Sequence, residues 1–371
     1  MAFADLQELL PRLAERDSRD PEIYPSENVA ELRAARIPTM PFSKELGGEG
    51  ASLVDAVRAI EAVASASPST ALLLAMPLGL AGIYGSAVTP PPEHTATWAF
   101  QRERMAADFA AGKLYAACNS ERGAGGALDA TKTLASKSDG SFRISGEKIL
   151  ASSGRNADYF FSTAKVAQED LPGAGIVEFF FVPTAAQGVE ILADWDGFGM
   201  RSTESQTVRY DSAAAEFMFG FPNFLATVQP LQYWFCLFAA IPLGCAAAVI
   251  RALGDPVPAG PAMRVRLSDA VMRYESLRAY LLETAARWRP GAGPEYAARV
   301  LRTKTYVSQE STRLCAELFA LGGGRHYRRS GAVARAVADA FAGTALRPPL
   351  PLALETLAEN FSLGPLATLN D

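Results

Sequence analysis

Two short segments of the chain combine glycine with small hydroxyl side chains, a pattern typical of loops that bind ligands. The first is Ser-Glu-Arg-Gly-Ala-Gly-Gly at residues 120–126, and the second is Gly-Glu-Lys-Ile-Leu-Ala-Ser-Ser-Gly at residues 146–154. Glycine lets the backbone approach a ligand closely, and serine hydroxyls donate or accept hydrogen bonds. The chain has only two histidines, His94 and His326, no Cys-x-x-Cys spacing and no Gly-x-Ser-x-Gly elbow. We therefore expect neither a zinc site nor a serine hydrolase.

Three compositional blocks surround these segments. Helical spacing of apolar residues dominates 1–112, β-rich runs fill 113–223, and helical patterns return over 224–371. The runs lie at 142–145, 158–164, 177–182 and 206–210, and the later helices are predicted at 233–253, 264–288, 294–321 and 331–342. This order predicts a mainly helical α+β protein of three domains, 1–112, 113–223 and 224–371. The β-rich region between the two helical regions contains a glycine-rich turn beside a strand with hydroxyl side chains. As a binding site, this combination suits the isoalloxazine ring of a flavin better than a phosphate group.

Composition limits the classes of partner. A net charge of −5 and a pI near 5.4 argue against nucleic acid, because binding phosphates requires a basic surface. The apolar stretches 71–80 and 235–250 are interrupted or too short to predict a membrane span, and residues 1–20 resemble an amphipathic helix rather than a leader. We expect a cytoplasmic protein. Its four cysteines, which lie far apart in apolar surroundings, are expected to be buried reduced thiols: Cys118, Cys236, Cys245 and Cys315.

Six segments, in order along the chain, are similar to the motifs of the acyl-CoA dehydrogenase family of flavoproteins. They are residues 45–50, 120–126, 146–154, 199–205, 319–324 and 335–339. Together they make the sequence resemble a divergent member of that family. The resemblance implies an N-terminal helical domain, a middle β-barrel domain and a C-terminal four-helix bundle. It also implies bound FAD, an acyl thioester as substrate, and a homo-oligomer (dimer or tetramer) whose subunits share the cofactor sites.

The same resemblance implies which residues hold the cofactor. The frame of the motifs places six of them near the flavin ring: Asn119, Ser120, Gly125, Gly126, Leu150 and Ser152. Ser120 and Ser152 keep hydroxyls that the family uses, whereas Leu150 stands where the family has an aromatic lid. Four more are implied as cofactor contacts in the last third of the chain. Arg251 is what remains of the family's clamp on the neighbouring subunit's flavin pyrophosphate, and Phe319, Gly322 and Gly323 belong to its late glycine turn, where Phe319 replaces a glutamine. Gly126 and Ala127 replace a serine and an aspartate at the mouth of the family's site, which leaves CoA binding open.

The sequence departs from the family at the catalytic base. Dehydrogenation of an acyl thioester requires a carboxylate that removes the α-proton. The two positions at which family members carry this glutamate align with Arg347 and with Trp234, and the family's nearby arginine is replaced by Gln206. No base is identified.

The remaining acidic residues near these motifs have simpler interpretations. Glu283 and Glu355 are expected to be solvated helix residues, and Asp339 is expected to form an ion pair with Arg335 one helical turn earlier. A basic cluster at residues 325–329 fits either pyrophosphate binding or a solvated helix end.

Three functional hypotheses remain open. The leading one is a FAD-dependent oxidoreductase that oxidises an acyl thioester bound to CoA or to a carrier protein. A flavin-dependent monooxygenase or oxidase on the same fold is the second, because such chemistry needs no glutamate. The third is a non-catalytic partner subunit that completes the site of a heteromeric dehydrogenase.

Overall fold

The computed structural model describes residues 2–138 and 140–361. Its first part is helical: α1 (Ala2–Arg19), α2 (Ser26–Ala34), α3 (Leu53–Ala64), α4 (Pro68–Gly85) and α5 (Thr95–Ala110). Ser52 and Asp55 form a capping box that fixes the start of α3. Helix α4 begins at Pro68 and is buried along nearly its whole length, so it forms the centre of this part.

The middle part contains eight strands. They are β1 (Tyr115–Cys118), β2 (Leu134–Ser138), β3 (Ser141–Ala151), β4 (Tyr159–Val166), β5 (Glu178–Pro183), β6 (Val189–Ile191), β7 (Gln206–Ala214) and β8 (Phe217–Met218). The sheet runs in the order β6-β7-β3-β2-β4-β5-β8, and β1 pairs in parallel with β4. Strands β4 and β5 are buried on both faces. Phe160 and Phe180 pack inside the sheet domain, whereas Phe161 and Phe181 pack into the core shared with the helices.

The last part is helical again: α6 (Phe224–Val228), α7 (Leu231–Gly254), α8 (Pro261–Ala286), α9 (Pro294–Leu321), α10 (Ala332–Ala340), α11 (Ala342–Ala345) and α12 (Leu350–Glu359). Helix α7 is central and packs against α3, α4, α8, α9 and α10. Both α4 and α7 are long and apolar enough to cross a membrane, but 94% and 72% of these segments are buried inside the fold. They therefore have the burial of core helices.

The predicted order of helices, strands and helices is confirmed, and so is the α+β class. Within the described residues the strands form an open sheet with β6 and β8 at its edges, rather than a barrel closed by hydrogen bonds between its first and last strands. All four cysteines are buried and free. The four later helices predicted from the sequence correspond to α7, α8, α9 and α10.

The contact between α4 and α7 makes a prediction about stability. The indole of Trp234 on α7 lies where a Cβ at Gly79 on α4 would stand, and its Nε1 donates to the Ala75 carbonyl at 3.1 Å. Gly79→Ala should lower the unfolding free energy by about 1–3 kcal/mol, because overpacking outweighs the gain in helix propensity. Urea unfolding measures this difference. Gly254→Ala, at the last residue of α7, where the added Cβ would meet only Leu267 Cδ1 at 4.0 Å, is the control, and equal stability of the two variants would contradict the packing described.

Candidate flavin-binding cavity

A cavity of about 350 Å³ lies between the sheet, α4, α7 and the segment that follows α10. Its lining is mainly apolar and aromatic, with side chains from all three parts of the chain. The apolar wall includes Leu72, Met76, Phe161, Trp195, Phe198, Leu231, Trp234, Phe235, Phe238, Phe341 and Leu346. The polar side chains of the lining, apart from the indoles, are Asn119, Ser120, Ser152, Ser205 and Arg347. A ligand with an apolar body and a polar edge fits this distribution.

A buried ion pair fixes the glycine-rich loop at one end of this cavity. The Nζ of Lys148 lies 2.7 Å from Oε1 of Glu121, and both side chains are almost completely buried. Glu121 also accepts hydrogen bonds from the backbone N–H groups of Lys132 and Thr133 and from the Thr133 hydroxyl. These donors hold the pKa of Glu121 down to about 2 in spite of its burial. The loop that contains Ser120 is thus tied to β3.

Strand β3 contains an irregularity that aims a side chain into the cavity. Its register against β7 shifts between Lys148 and Ala151, so two residues, Ile149 and Leu150, lie opposite one. Leu150 has φ +60°, a left-handed conformation that is uncommon for a branched aliphatic residue. Its side chain lines the cavity and is 48% exposed. Local backbone strain of this kind is typical of functional sites.

Three hydroxyl groups form a chain along one wall. The Oγ of Ser152 lies 3.0 Å from the Oγ of Ser205, which lies 2.7 Å from the Oγ1 of Thr203. Thr203 in turn donates to the carbonyl of Met200 at 2.8 Å. Because the Thr203 proton is used on Met200, Ser205 donates to Thr203 and Ser152 donates to Ser205. Ser152 therefore presents a lone pair to a ligand.

A cation, Arg347, lines the cavity near the position that the sequence predicts for a catalytic carboxylate. The guanidinium of Arg347 lines the cavity, donates through Nη2 to the Asn119 carbonyl at 3.3 Å, and donates through Nη1 to the Gly126 carbonyl. No ion pair to Arg347 occurs in the described part of the chain. Withdrawal from water without a carboxylate partner lowers the pKa of Arg347 to about 10.

Lys304 on α9 holds the segment that contains Arg347. Its buried Nζ contacts the carbonyl oxygens of Gly343, Leu346 and Pro348 at 3.1, 2.6 and 2.7 Å. Burial lowers the pKa of Lys304 to about 7. An ammonium group has three protons to donate, so these three carbonyls match its protonated form and fix the backbone on both sides of Arg347.

Asp339 does not form the predicted ion pair with Arg335. Its Oδ1 instead accepts a hydrogen bond from the backbone N–H of Met200 at 2.6 Å, while Arg335 lies 3.6 Å from Asp17. The carboxyl therefore fastens the loop before β7, which contributes Trp195 and Phe198 to the cavity. Burial raises the pKa of Asp339 to about 7. The prediction failed because helical spacing gave no information about the loop packed against α10.

Carboxylates do not line the cavity within residues 2–138 and 140–361. Glu283 is ion-paired with Arg287 and Arg299 rather than merely solvated, and Glu355 is exposed as predicted. Trp234, at the second position used by the family for its base, contributes an indole to the wall.

The structure divides the predicted cofactor residues into two groups. Four of them line the cavity, namely Asn119, Ser120, Leu150 and Ser152, and Gly125 and Gly126 belong to the loop at its edge. The other four lie at the far end of the helical bundle, and they are Arg251, Phe319, Gly322 and Gly323. There Phe319 stacks on Tyr327 and Gly322 contacts His326. The role of this second group in cofactor binding stays a prediction.

Sequence reasoning missed several residues of the site. Trp195 and Phe198 come from an irregular loop that has no periodicity, whereas Ser205 belongs to the segment 199–205 that the sequence had already singled out. Lys304 was detectable, because it falls on the apolar face of a predicted helix together with Val300 and Val307.

Comparison with known proteins agrees with this geometry. Residues 2–88 match the model of the acyl-CoA dehydrogenase N-terminal domain, and residues 116–213 match that of the acyl-CoA dehydrogenase middle domain. The chain belongs to the acyl-CoA dehydrogenase family. It is 24% identical over 337 residues to probable acyl-CoA dehydrogenase YngJ of Bacillus subtilis (strain 168). The aligned region covers 85% of this chain and 84% of that protein.

Other proteins similar to this chain have names that indicate a different chemistry. A dibenzothiophene monooxygenase of Mycolicibacterium goodii is 26% identical over 203 residues, which is 53% of this chain and 46% of that protein. The fold is similar to that of FMN-bound TdsC from Paenibacillus sp. A11-2, with a TM-score of 0.82 and 20% identity over 97% of this chain and 96% of that chain. At this identity the structural likeness establishes the fold alone. The family is one of flavin oxidoreductases.

The buried pair beneath the loop makes a testable prediction. Lys148→Met leaves the Glu121 carboxylate buried without its cation, so the unfolding free energy should fall by about 3–5 kcal/mol. Urea unfolding of the wild type, Lys148→Met and the double variant Glu121→Gln/Lys148→Met provides the measurement. The double variant should recover part of the loss because no charge remains buried. If it is no more stable than Lys148→Met, the pair does not act as described.

The raised pKa of Asp339 predicts a pH dependence. In the unfolded chain this carboxyl ionises near its ordinary value, whereas in the fold it stays protonated up to about pH 7. The unfolding free energy of the wild type therefore falls as pH rises through this range, because the folded state binds the extra proton. Asp17, Arg201 and Arg335 are the charged groups that face it.

Asp339→Asn keeps the acceptor for Met200 and removes the titration. Relative to the wild type it should gain on the order of 2–3 kcal/mol between about pH 5 and pH 8, most of it below pH 7. Thermal unfolding across this pH range checks the gain, with the exposed Asp211→Asn as control. A difference that stays constant with pH would rule out the assignment.

Proposed function

We propose that the protein is a flavin-dependent monooxygenase on the acyl-CoA dehydrogenase fold, acting on a substrate with a largely apolar, aromatic-sized body. One observation carries this proposal: among the described residues, the wall of the cavity has no carboxylate and no imidazole. Oxygen transfer from a reduced flavin requires no protein base at the substrate carbon, whereas α-proton abstraction does.

The geometry weakens the dehydrogenase hypothesis at both usual positions of the base. A guanidinium has donors but no acceptor, so Arg347 cannot take a proton. The indole of Trp234 has one N–H, which is already donated to Ala75. An acyl thioester in this cavity would thus lack the group that removes its α-proton.

The residues present fit a flavin ring. Ser120 and Ser152 offer hydroxyls at one side of the cavity, and the aromatic side chains of Phe161 and Trp234 line it elsewhere. This donor set suits a flat ring that has one heteroatom edge and one hydrocarbon edge. When bound and reduced, the flavin supplies two electrons to O2, so that one oxygen atom enters the substrate and the other leaves as water.

The protein's own contribution would be to bind, orient and exclude water. Ser152 would hold the ring through the hydroxyl chain to Ser205, and the Glu121–Lys148 pair would keep Ser120 in register with it. Apolar walls keep bulk water from the reacting atoms, which protects the transferred oxygen from a wasteful release as peroxide. We retain FAD as the proposed cofactor and a homo-oligomer as the proposed assembly.

The experiment begins with the purified chain and tests binding separately from turnover. FAD and FMN are titrated by quenching of flavin fluorescence. Ser152→Ala should weaken binding by about tenfold through the lost hydrogen bond, whereas Ser152→Thr, which keeps the hydroxyl, should bind within about threefold of the wild type. Equal binding by all three proteins would remove Ser152 from the site.

Turnover is then tested with a separate NADH-dependent flavin reductase, 18O2 and a panel of aromatic acids and heterocycles. We expect a product that contains one 18O atom and that forms only when both reductase and oxygen are present. Anaerobic bleaching of the bound oxidised flavin by an acyl-CoA would establish a dehydrogenase instead. A folded chain that acquires flavin only with a second protein would establish the partner-subunit hypothesis.

A further inference from the structure

The charge inside the cavity suggests which substrates it accepts. We propose that Arg347 selects a substrate whose apolar body carries an anionic oxygen group, and that a carboxylate on an aromatic ring system is the matching chemistry. This inference rests on the proposed function, because the same cavity holds the substrate that is oxygenated.

Within residues 2–138 and 140–361, Arg347 is a cation without a carboxylate counter-ion. Its guanidinium has five N–H groups, of which the structure records two in use, to the carbonyls of Asn119 and Gly126. Neutral carbonyls accept hydrogen bonds but supply no negative charge. The remaining donors belong to a guanidinium that lines the cavity, where a carboxylate can accept two parallel hydrogen bonds.

The neighbouring charges do not neutralise this cation. Glu121, the acid whose charge acts on Arg347, is already paired with Lys148 at 2.7 Å. Lys304 adds a further positive charge when protonated, and it too has only carbonyl partners among the described residues. The end of the cavity at Arg347 is therefore positive, and an anion that enters it is attracted in a medium that screens charge weakly.

The guanidinium is also held in place before any ligand arrives. Lys304 fixes the carbonyls on both sides of Arg347, and Pro349 packs against Gly126, whose missing Cβ would lie 2.5 Å from the proline Cδ. A fixed donor loses little conformational entropy on binding, which favours it as an anchor for specificity. A neutral amide of the same shape satisfies some donors but gains no charge interaction.

Probe binding tests the inference without turnover. Isothermal titration calorimetry compares 1-naphthoate with its neutral isostere 1-naphthamide, using the flavin-loaded oxidised protein without reductase. The wild type should bind naphthoate at least about tenfold more tightly, which is the gain expected of a charge-assisted pair. Arg347→Gln should bind the two probes within about threefold of each other, whereas Arg347→Lys, which keeps the charge, should retain a preference for naphthoate.

A control variant and four further outcomes complete this binding experiment. Arg209→Gln, an exposed arginine paired with Glu147 on the sheet, controls for general loss of charge and should behave as the wild type. Equal wild-type affinity for the two probes would overturn the proposal and needs no variant. A preference for naphthoate that survives in Arg347→Gln would also overturn the proposal. A preference seen only before flavin is added would overturn it too, because the flavin itself would then bind the guanidinium. A clear preference without any oxygenated product would instead retain the anion site and reject the monooxygenase.

Discussion

The buried ion pair between Glu121 and Lys148 is the interaction on which the site depends. It joins the glycine-rich loop after β1 to the strand β3, and the two carry Ser120 and Ser152 to the same cavity. A carboxylate at this depth is tolerated only because a lysine, a hydroxyl and two backbone N–H groups surround it. Arg347 also donates to the Asn119 and Gly126 carbonyls of this glycine-rich segment, and the Ile149 N–H donates to the Ser120 carbonyl, whereas the ion pair holds the loop through buried charges.

A second constraint acts from the opposite side of the cavity. The chain between α10 and α12 is pinned at Lys304 by three carbonyl groups, and the loop before β7 is pinned at Asp339. These contacts set the walls that contain Arg347, Trp195 and Phe198. Among the described residues these walls carry a guanidinium and no carboxylate, so this end of the cavity is positive. The chemistry of the cavity then follows from what it lacks as well as from what it contains.

The sequence predicted the three-part architecture because long periodic segments report burial directly. It also located the loop and strand that line the cavity, since glycine and hydroxyl motifs have fixed spacing. The bulge at Leu150 was not predicted, because it depends on register against β7. The role of Asp339 was predicted wrongly for a related reason: its partner, Met200, is remote in sequence and offers a backbone N–H, which no side-chain pattern reveals.

A crystal structure of the protein soaked or co-crystallised with FAD tests flavin binding in the cavity most directly. We expect density for the isoalloxazine ring there, with its heteroatom edge against Ser120 and Ser152 and its hydrocarbon edge towards the aromatic wall. Density for the ring at any other place, or its absence from the cavity at saturating flavin in crystals of the folded protein, would contradict the account.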